Sequence, residues 1–254
     1  MIRNSQDVIP YLKQKVEQLS LYFKDYTVLI VENDSTDNSR SILLEWARDN
    51  NRIKILGCGV NNDSCKLDIS ETIIHDGSSS RIEKMVNLRN IYMDYLQRPE
   101  FNDYKFCIVM DMDLVSKLYN DGILSTEELF YNNPTLDAVV SNGIGCKTYG
   151  PFHIFIYHDP YAHLDLNGNI STNKKIHDQY SMLTRFYYYD SPVQTVISAF
   201  SGFSMYNFKT FRSKRYALSL LEDGTAECEH VTFNKKLETI VLNPKMLFIV
   251  FQNN

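Results

Sequence analysis

The chain has 254 residues, 44% of them hydrophobic and 22% charged, with a formal net charge of −5. That length holds one α/β domain, or two fused subdomains, around a sizeable core, and the composition is ordinary for a globular protein. The acidic balance argues against a nucleic-acid surface, because no Lys/Arg block supplies a face that tracks phosphates.

In chain order, Asn4 or Ser5 can cap a helix running to about Lys24, with Val8, Leu12, Val16 and Leu19 on its buried stripe. Thr27–Val31 is β-branched and apolar, predicts a strand, and runs directly into Glu32, Asn33, Asp34, Ser35, Thr36, Asp37, Asn38 and Ser39. Ile42, Leu43, Trp46 and Ala47 then recur at helical spacing, so 39–50 predicts a helix with Asp37 or Asn38 as N-cap. Asx and hydroxyl side chains satisfy local backbone donors, which accounts for much of this octet. Glu32 and Asp34, however, leave the strand itself at its end. Arg52–Gly57 predicts a further strand, and Cys58–Ser80 is polar and long for a bare connection, so it predicts an extra turn or a flap. A helix over 81–97 would place Ile82, Met85, Leu88, Tyr92 and Tyr95 on one side.

The most informative stretch follows. Residues 107–115 read CIVMDMDLV, an apolar run that ends in two aspartates one residue apart. Such a run suits a buried strand. Alternation along it points Asp111 and Asp113 the same way where the strand leaves its sheet. Two carboxylates converging there seat a hard divalent cation, Mn²⁺ or Mg²⁺, which takes further ligands from water and substrate phosphates. The plainer alternative is that Asp113 caps the next turn. The helix and strand series to this point is a βαβ pattern, which predicts a mostly parallel sheet with right-handed crossovers.

From Asp137 onward the texture turns aromatic and strand-like: DAVVSNG, FHIFIYH, FYYYD, VQTVISAF and SGFSMYNF. Near residue 135 we place a boundary between residues 1–135 and 136–254, two halves of one compact domain. His153 and His158 stand on opposite faces of a predicted strand, and with Tyr157 and Tyr161 they suit the wall of a binding site better than a metal site. The basic cluster Lys209–Arg215 reads as a solvated face or a local phosphate contact. GTAECEHV, residues 224–231, puts an acid cluster immediately ahead of a helix-like apolar run.

Five cysteines (58, 65, 107, 146 and 228) show no CxxC pair and no ladder of spacings, so neither a zinc site nor a disulfide framework is predicted. No apolar stretch approaches the ~20 residues that span a bilayer, and no signal peptide is visible. Asn33-Asp34-Ser35 is formally a glycosylation sequon, and a glycan there would crowd the predicted site. A reducing, cytoplasmic setting avoids that conflict.

Taken in order, ENDSTDNS at 32–39, NLRN at 87–90, DMD at 111–113, Ser201-Gly202-Phe203 and Cys228-Glu229-His230-Val231 resemble the motifs of GT-A fold glycosyltransferases that use nucleotide sugars. The resemblance covers roughly residues 3–245 and implies a Rossmann-type, mostly parallel sheet flanked by helices, with a mixed acceptor-side half. It also implies a central first strand, which the segment Ile2-Arg3-Asn4 follows, so that strand is missing here unless another, such as Met246–Phe251, takes its place. The implied roles are donor binding by Arg3, Glu32, Asp34, Arg89, Asp111 and Met112, and metal binding by Asp111 and Asp113. Glu229 would be the base, with His230 standing where a second acid is usual. The implied reaction is metal-dependent, inverting transfer of a sugar from a UDP-sugar, with a GDP-sugar next, to a hydroxyl of a glycan or glycoconjugate. Two alternatives are a phosphatase of the haloacid dehalogenase type with Asp111 as nucleophile, and a sugar-binding protein without catalysis.

Overall fold

The computed structural model describes residues 1–63, 66–67, 79–149, 152–167 and 189–252. The elements that position the site are helix α1 (Ile9–Ser20), strand β1 (Val28–Val31), α2 (Ser39–Asp49), β2 (Ile53–Gly57), β3 (Gly59–Val60) and α3 (Ser79–Tyr95). These are followed by β4 (Phe106–Met110), β5 (Ser116–Leu118), α4 (Asn120–Asn132), β6 (Ala138–Tyr149) and β7 (Phe152–Tyr157). The chain continues through β8 (Gln194–Thr195), β9 (Phe203–Asn207), α5 (Phe208–Arg212), α6 (Glu229–Asn234) and β10 (Ile240–Gln252).

Local chemistry explains several boundaries. The first helix starts at Ile9 and not at Ser5, because Pro10 belongs in the first turn, where its missing N–H leaves no bond unmade. Its buried side chains are Ile9, Leu12, Lys15 and Val16. Asn38 is the N-cap residue of α2 but makes no side-chain cap bond. Asp37 ties that end down instead, its carboxylate accepting from Ser39 N–H at 2.9 Å and from Gln6 N–H at 3.2 Å. Those bonds hold the Asp37 carboxyl below the usual range against the opposing effect of desolvation.

The sheet is mixed where a mostly parallel one was expected. β1 and β2 pair in parallel, and β3 adds antiparallel to β2. The larger sheet has seven strands among the described residues, with path β4-β9-β6-β10-β5 and with β7 on β6 and β8 on β10. Only β6 and β10 pair in parallel within it, the other contacts being antiparallel. The reason is β9, which returns between β4 and β6 and pairs Phe106–Met110 with Phe203–Asn207 head to tail. An apolar run reads the same in either direction, so the pattern could not announce this reversal. Met246–Phe251 lies in β10 between β6 and β5, and not beside β1.

Both sheets nevertheless belong to one layer. Ile30 and Val31 of β1 feed two separate cores, and Met110 and Val109 of β4 feed the same two. One core lies on the side of α1 and α2, with Ile9, Leu12, Leu43 and Phe248; the other lies on the side of α3 and α6, with Ile82, Met93, Phe200 and Phe233. Alternating side chains thus bury both faces of the layer. The layer is interrupted between β1 and β4.

The expected extra turn after Cys58 falls largely outside the described residues; what is seen is the short β2–β3 hairpin. The tyrosine run at 187–189 is outside them as well, except for Tyr189, whose hydroxyl donates to Asp121 at 3.0 Å. Cys58 is disulfide-bonded, contrary to the reading of the cysteine spacings, while Cys107, Cys146 and Cys228 are free. No helix among the described residues is long and apolar enough to cross a membrane.

Candidate functional site

The DMD segment leaves β4 as the alternation requires. Met112 turns to the apolar side and packs with the core of α1 and α2, while Asp111 and Asp113 lie close enough that the charge of Asp113 acts on Asp111. The Asp111 main chain is pinned to the neighbouring strand, its N–H donating to the Gly202 carbonyl at 2.9 Å. That bond depends on a left-handed turn, with φ 55 at Ser201 and 83 at Gly202. A Cβ on Gly202 would also come within 2.4 Å of the Phe248 ring. Only glycine satisfies both conditions. Thus the SGF segment, identified in the sequence, abuts the aspartates because of its backbone.

Four other groups converge on them. Glu229 is the first residue of α6 and Arg89 comes from the middle of α3. Both are buried, and Arg89 Nε donates to Glu229 Oε1 at 3.0 Å. The guanidinium sits over the rings of Tyr216, at 5.4 Å, and Phe200, at 5.7 Å. The other two groups escaped the sequence reading. Asp159 follows β7 in a left-handed conformation, φ 58, immediately ahead of Pro160. Desolvation, aided by the charges of Asp111 and Glu229, pushes its carboxyl up to about 8. Lys15 reaches in from α1, donates to Ser116 Oγ, and is pushed down to about 8 by burial against the pull of Asp111 and Asp113. Two sequence signals pointed to them: an Asp-Pro dipeptide closing a strand, and a lysine interrupting the apolar stripe of α1.

Asp111 itself is raised to about 6, by burial first and by Asp113 second. A carboxylate so placed is under-compensated, which fits a divalent cation as its missing counter-charge. No group of three metal-ligating side chains occurs among the described residues. Asp111 and Asp113 would therefore hold the ion as a pair, leaving its other positions to water and to a ligand's oxygens, as suits Mg²⁺ or Mn²⁺.

His230 is buried and stacks on Phe200 with ring centroids 3.8 Å apart. Burial, and then the charge of Arg89, holds it well below its ordinary pKa, so it is neutral at physiological pH. Neither ring nitrogen has a hydrogen-bond partner among the described residues. His158 is likewise pushed down, to about 4, by burial. A polar chain braces this side of the site: Ser201 Oγ donates to Tyr157 Oη at 2.9 Å, and Tyr157 Oη lies 3.0 Å from His163 Nδ1.

The remaining sequence candidates stand apart from this cluster. Glu32 is buried and committed to its own loop, accepting from Ser35 N–H at 2.7 Å and pairing with Arg40 of α2. Asp34, at φ 50, accepts from Leu67 N–H at 2.9 Å. Arg3 follows Ile2, which is bridged to Glu32, and its carbonyl accepts from Ser5 Oγ at 2.8 Å. Arg89, Asp111, Asp113 and Glu229 form the shared electrostatic centre; Arg3, Glu32 and Asp34 are engaged elsewhere, around the end of β1. No known protein family and no curated protein sequence matches this chain.

Proposed function

We propose that the protein transfers a sugar from a nucleoside diphosphate sugar, UDP-linked by preference and GDP-linked next, to a hydroxyl of a glycan or glycoconjugate. The observation that carries this reading is the convergence of Asp111, Asp113, Glu229 and Arg89 at the end of β4. A divalent ion held by Asp111 and Asp113 would neutralise charge on the departing diphosphate. Glu229 accepts the proton of the attacking hydroxyl as the new C–O bond forms and the bond to the diphosphate breaks. Arg89 engages Glu229 Oε1, which fixes the carboxylate, while Oε2, approached by Cys228 Sγ at 3.8 Å, would take that proton.

The test is a panel of UDP- and GDP-sugars scored by thermal shift and by transfer, with and without Mn²⁺. Binding at 100 times Kd stabilises by about 2.7 kcal/mol. Asp113→Asn is expected to fold normally and to lose the Mn²⁺-dependent part of the shift. Wild-type donor affinity with unchanged Mn²⁺ dependence in that variant would remove the metal assignment. The buried Arg89–Glu229 pair favours a second reading, a sugar-nucleotide-binding protein without turnover, which donor binding with no transfer to any acceptor would identify.

A further inference from the structure

Lys15 interrupts the buried stripe of α1. Ile9, Leu12 and Val16 around it share a core with Phe248, Met110 and Met112, and the lysine is itself only 6% exposed. Its ammonium reaches β5 and donates to the hydroxyl of Ser116, a short step along the chain from Asp113. It also lies 5.3 Å from the centre of the Phe248 ring. That ring stands against Gly202, whose carbonyl accepts from Asp111 N–H. Lys15 is thus tied to both segments that hold the aspartates, from the core side into which Met112 packs.

Neither contact explains why the group is a cation. A hydroxyl and an aromatic face are thin compensation for a buried ammonium. Among the described residues Lys15 forms no ion pair. A tether to Ser116 needs only a donor, which glutamine supplies without a charge. What the ammonium does meet is the field of Asp111 and Asp113, which favours its charged form against burial. The aspartates in turn lack a full counter-charge. Arg89 is paired with Glu229, and Asp111 is raised by burial and by Asp113.

Charge arithmetic gives the consequence. A divalent ion brings two positive charges and displaces at most one proton from Asp111. The ammonium therefore opposes entry of the bare ion wherever Lys15 is charged. A diphosphate carries more negative charge than the ion neutralises, so the same ammonium attracts the complex of the two.

We propose that Lys15 is a positioning residue that makes the Asp111–Asp113 pair accept a divalent cation together with a diphosphate and resist it alone. The inference rests on the reading of that pair as the seat of a nucleoside diphosphate's metal ion. Lys15 acts through the field it places behind the aspartates, and Ser116 and Phe248 fix where that field originates. In the free protein the ammonium is part of the aspartates' counter-charge, and the incoming complex brings the rest.

Two affinities of the full chain test this at pH 7 and low salt, where surface screening is least. Bare Mn²⁺ is followed by loss of the free-ion EPR signal, and UDP at saturating Mn²⁺ by calorimetry. Lys15→Met keeps the bulk of the side chain in an apolar core, Lys15→Gln keeps a donor for Ser116, and Lys15→Arg keeps the charge. The methionine and glutamine variants are expected to bind bare Mn²⁺ about tenfold more tightly and UDP with Mn²⁺ about threefold or more weakly. The arginine variant is expected to stay near wild type in both. Loss of a mere tether would loosen the site for both ligands and could not move the two affinities in opposite directions. Unchanged affinities in the methionine and glutamine variants, or shifts in the same direction, overturn the role of Lys15 and leave the transfer reading standing. A wild type that takes Mn²⁺ but neither UDP nor GDP overturns the transfer reading, and this inference with it.

Discussion

Arg89 and Glu229 form a deeply buried ion pair, so removing one partner is unlike removing a surface pair. Arg89→Met is expected to destabilise the fold by about 3–5 kcal/mol, measured by denaturant unfolding, because it leaves a carboxylate buried without its cation. Glu229→Gln keeps the shape and a hydrogen-bond acceptor but cannot take a proton. On the proposed reaction it should retain donor binding and lose about 10²–10⁴-fold in transfer. A glutamine variant with near-normal turnover, beside a collapsed His230→Ala, would move the base to His230. Asp159 gives a third outcome at this scale. Its folded pKa is raised to about 8 from an ordinary value of 3.8, so the folded state holds its proton where the unfolded state has lost it. The associated stability is present at low pH and declines as pH rises toward 8. The buried N-terminal ammonium, held below its ordinary value, pulls the other way. The difference between wild type and Asp159→Asn isolates the aspartate: between pH 6.5 and 8 the wild type should lose stability relative to the variant. Parallel curves over that window would show that Asp159 is not held protonated.

Among elements, the β4–β9 pair carries the site. The turn at Ser201-Gly202 fixes where Asp111 stands, and its glycine has both a left-handed φ and the Phe248 ring against it. Gly202→Ala is expected to cost about 1–3 kcal/mol from overpacking, with a lower melting temperature as the readout. It should also weaken Mn²⁺-dependent donor binding, since Asp111 N–H hangs on the Gly202 carbonyl. β4 and its two aspartates were legible in the sequence because a short apolar run with an alternating polar exit has few other solutions. The start of α1 lies past the caps at Asn4 and Ser5 because Pro10 suits the first helical turn. Asp159 stayed hidden because a single left-handed residue after a strand has no period to detect. The antiparallel return of β9 stayed hidden because apolar runs carry no direction.

On the scale of the whole molecule, two sheets share two cores without sharing hydrogen bonds at their junction. The three-stranded sheet of β1, β2 and β3 is the smaller unit, and it meets β4 through side chains in the two shared cores. Native-state hydrogen exchange is expected to show Ile30 and Ile55 opening at lower free energy than Leu242 and Val250. Equal protection in the two sets would mean that the interrupted layer unfolds as one unit. Within the DMD segment, Met112 packs into the core of α1 and α2 while its neighbours Asp111 and Asp113 face the charged centre. A cation that fixed the two carboxylates would therefore act on the packing of the methionine between them. Thermodynamic reciprocity then constrains the pair: whatever factor that packing applies to cation affinity, the cation must apply to the equilibrium between packed and unpacked Met112. Three consecutive residues would make core packing and ion capture readouts of a single equilibrium.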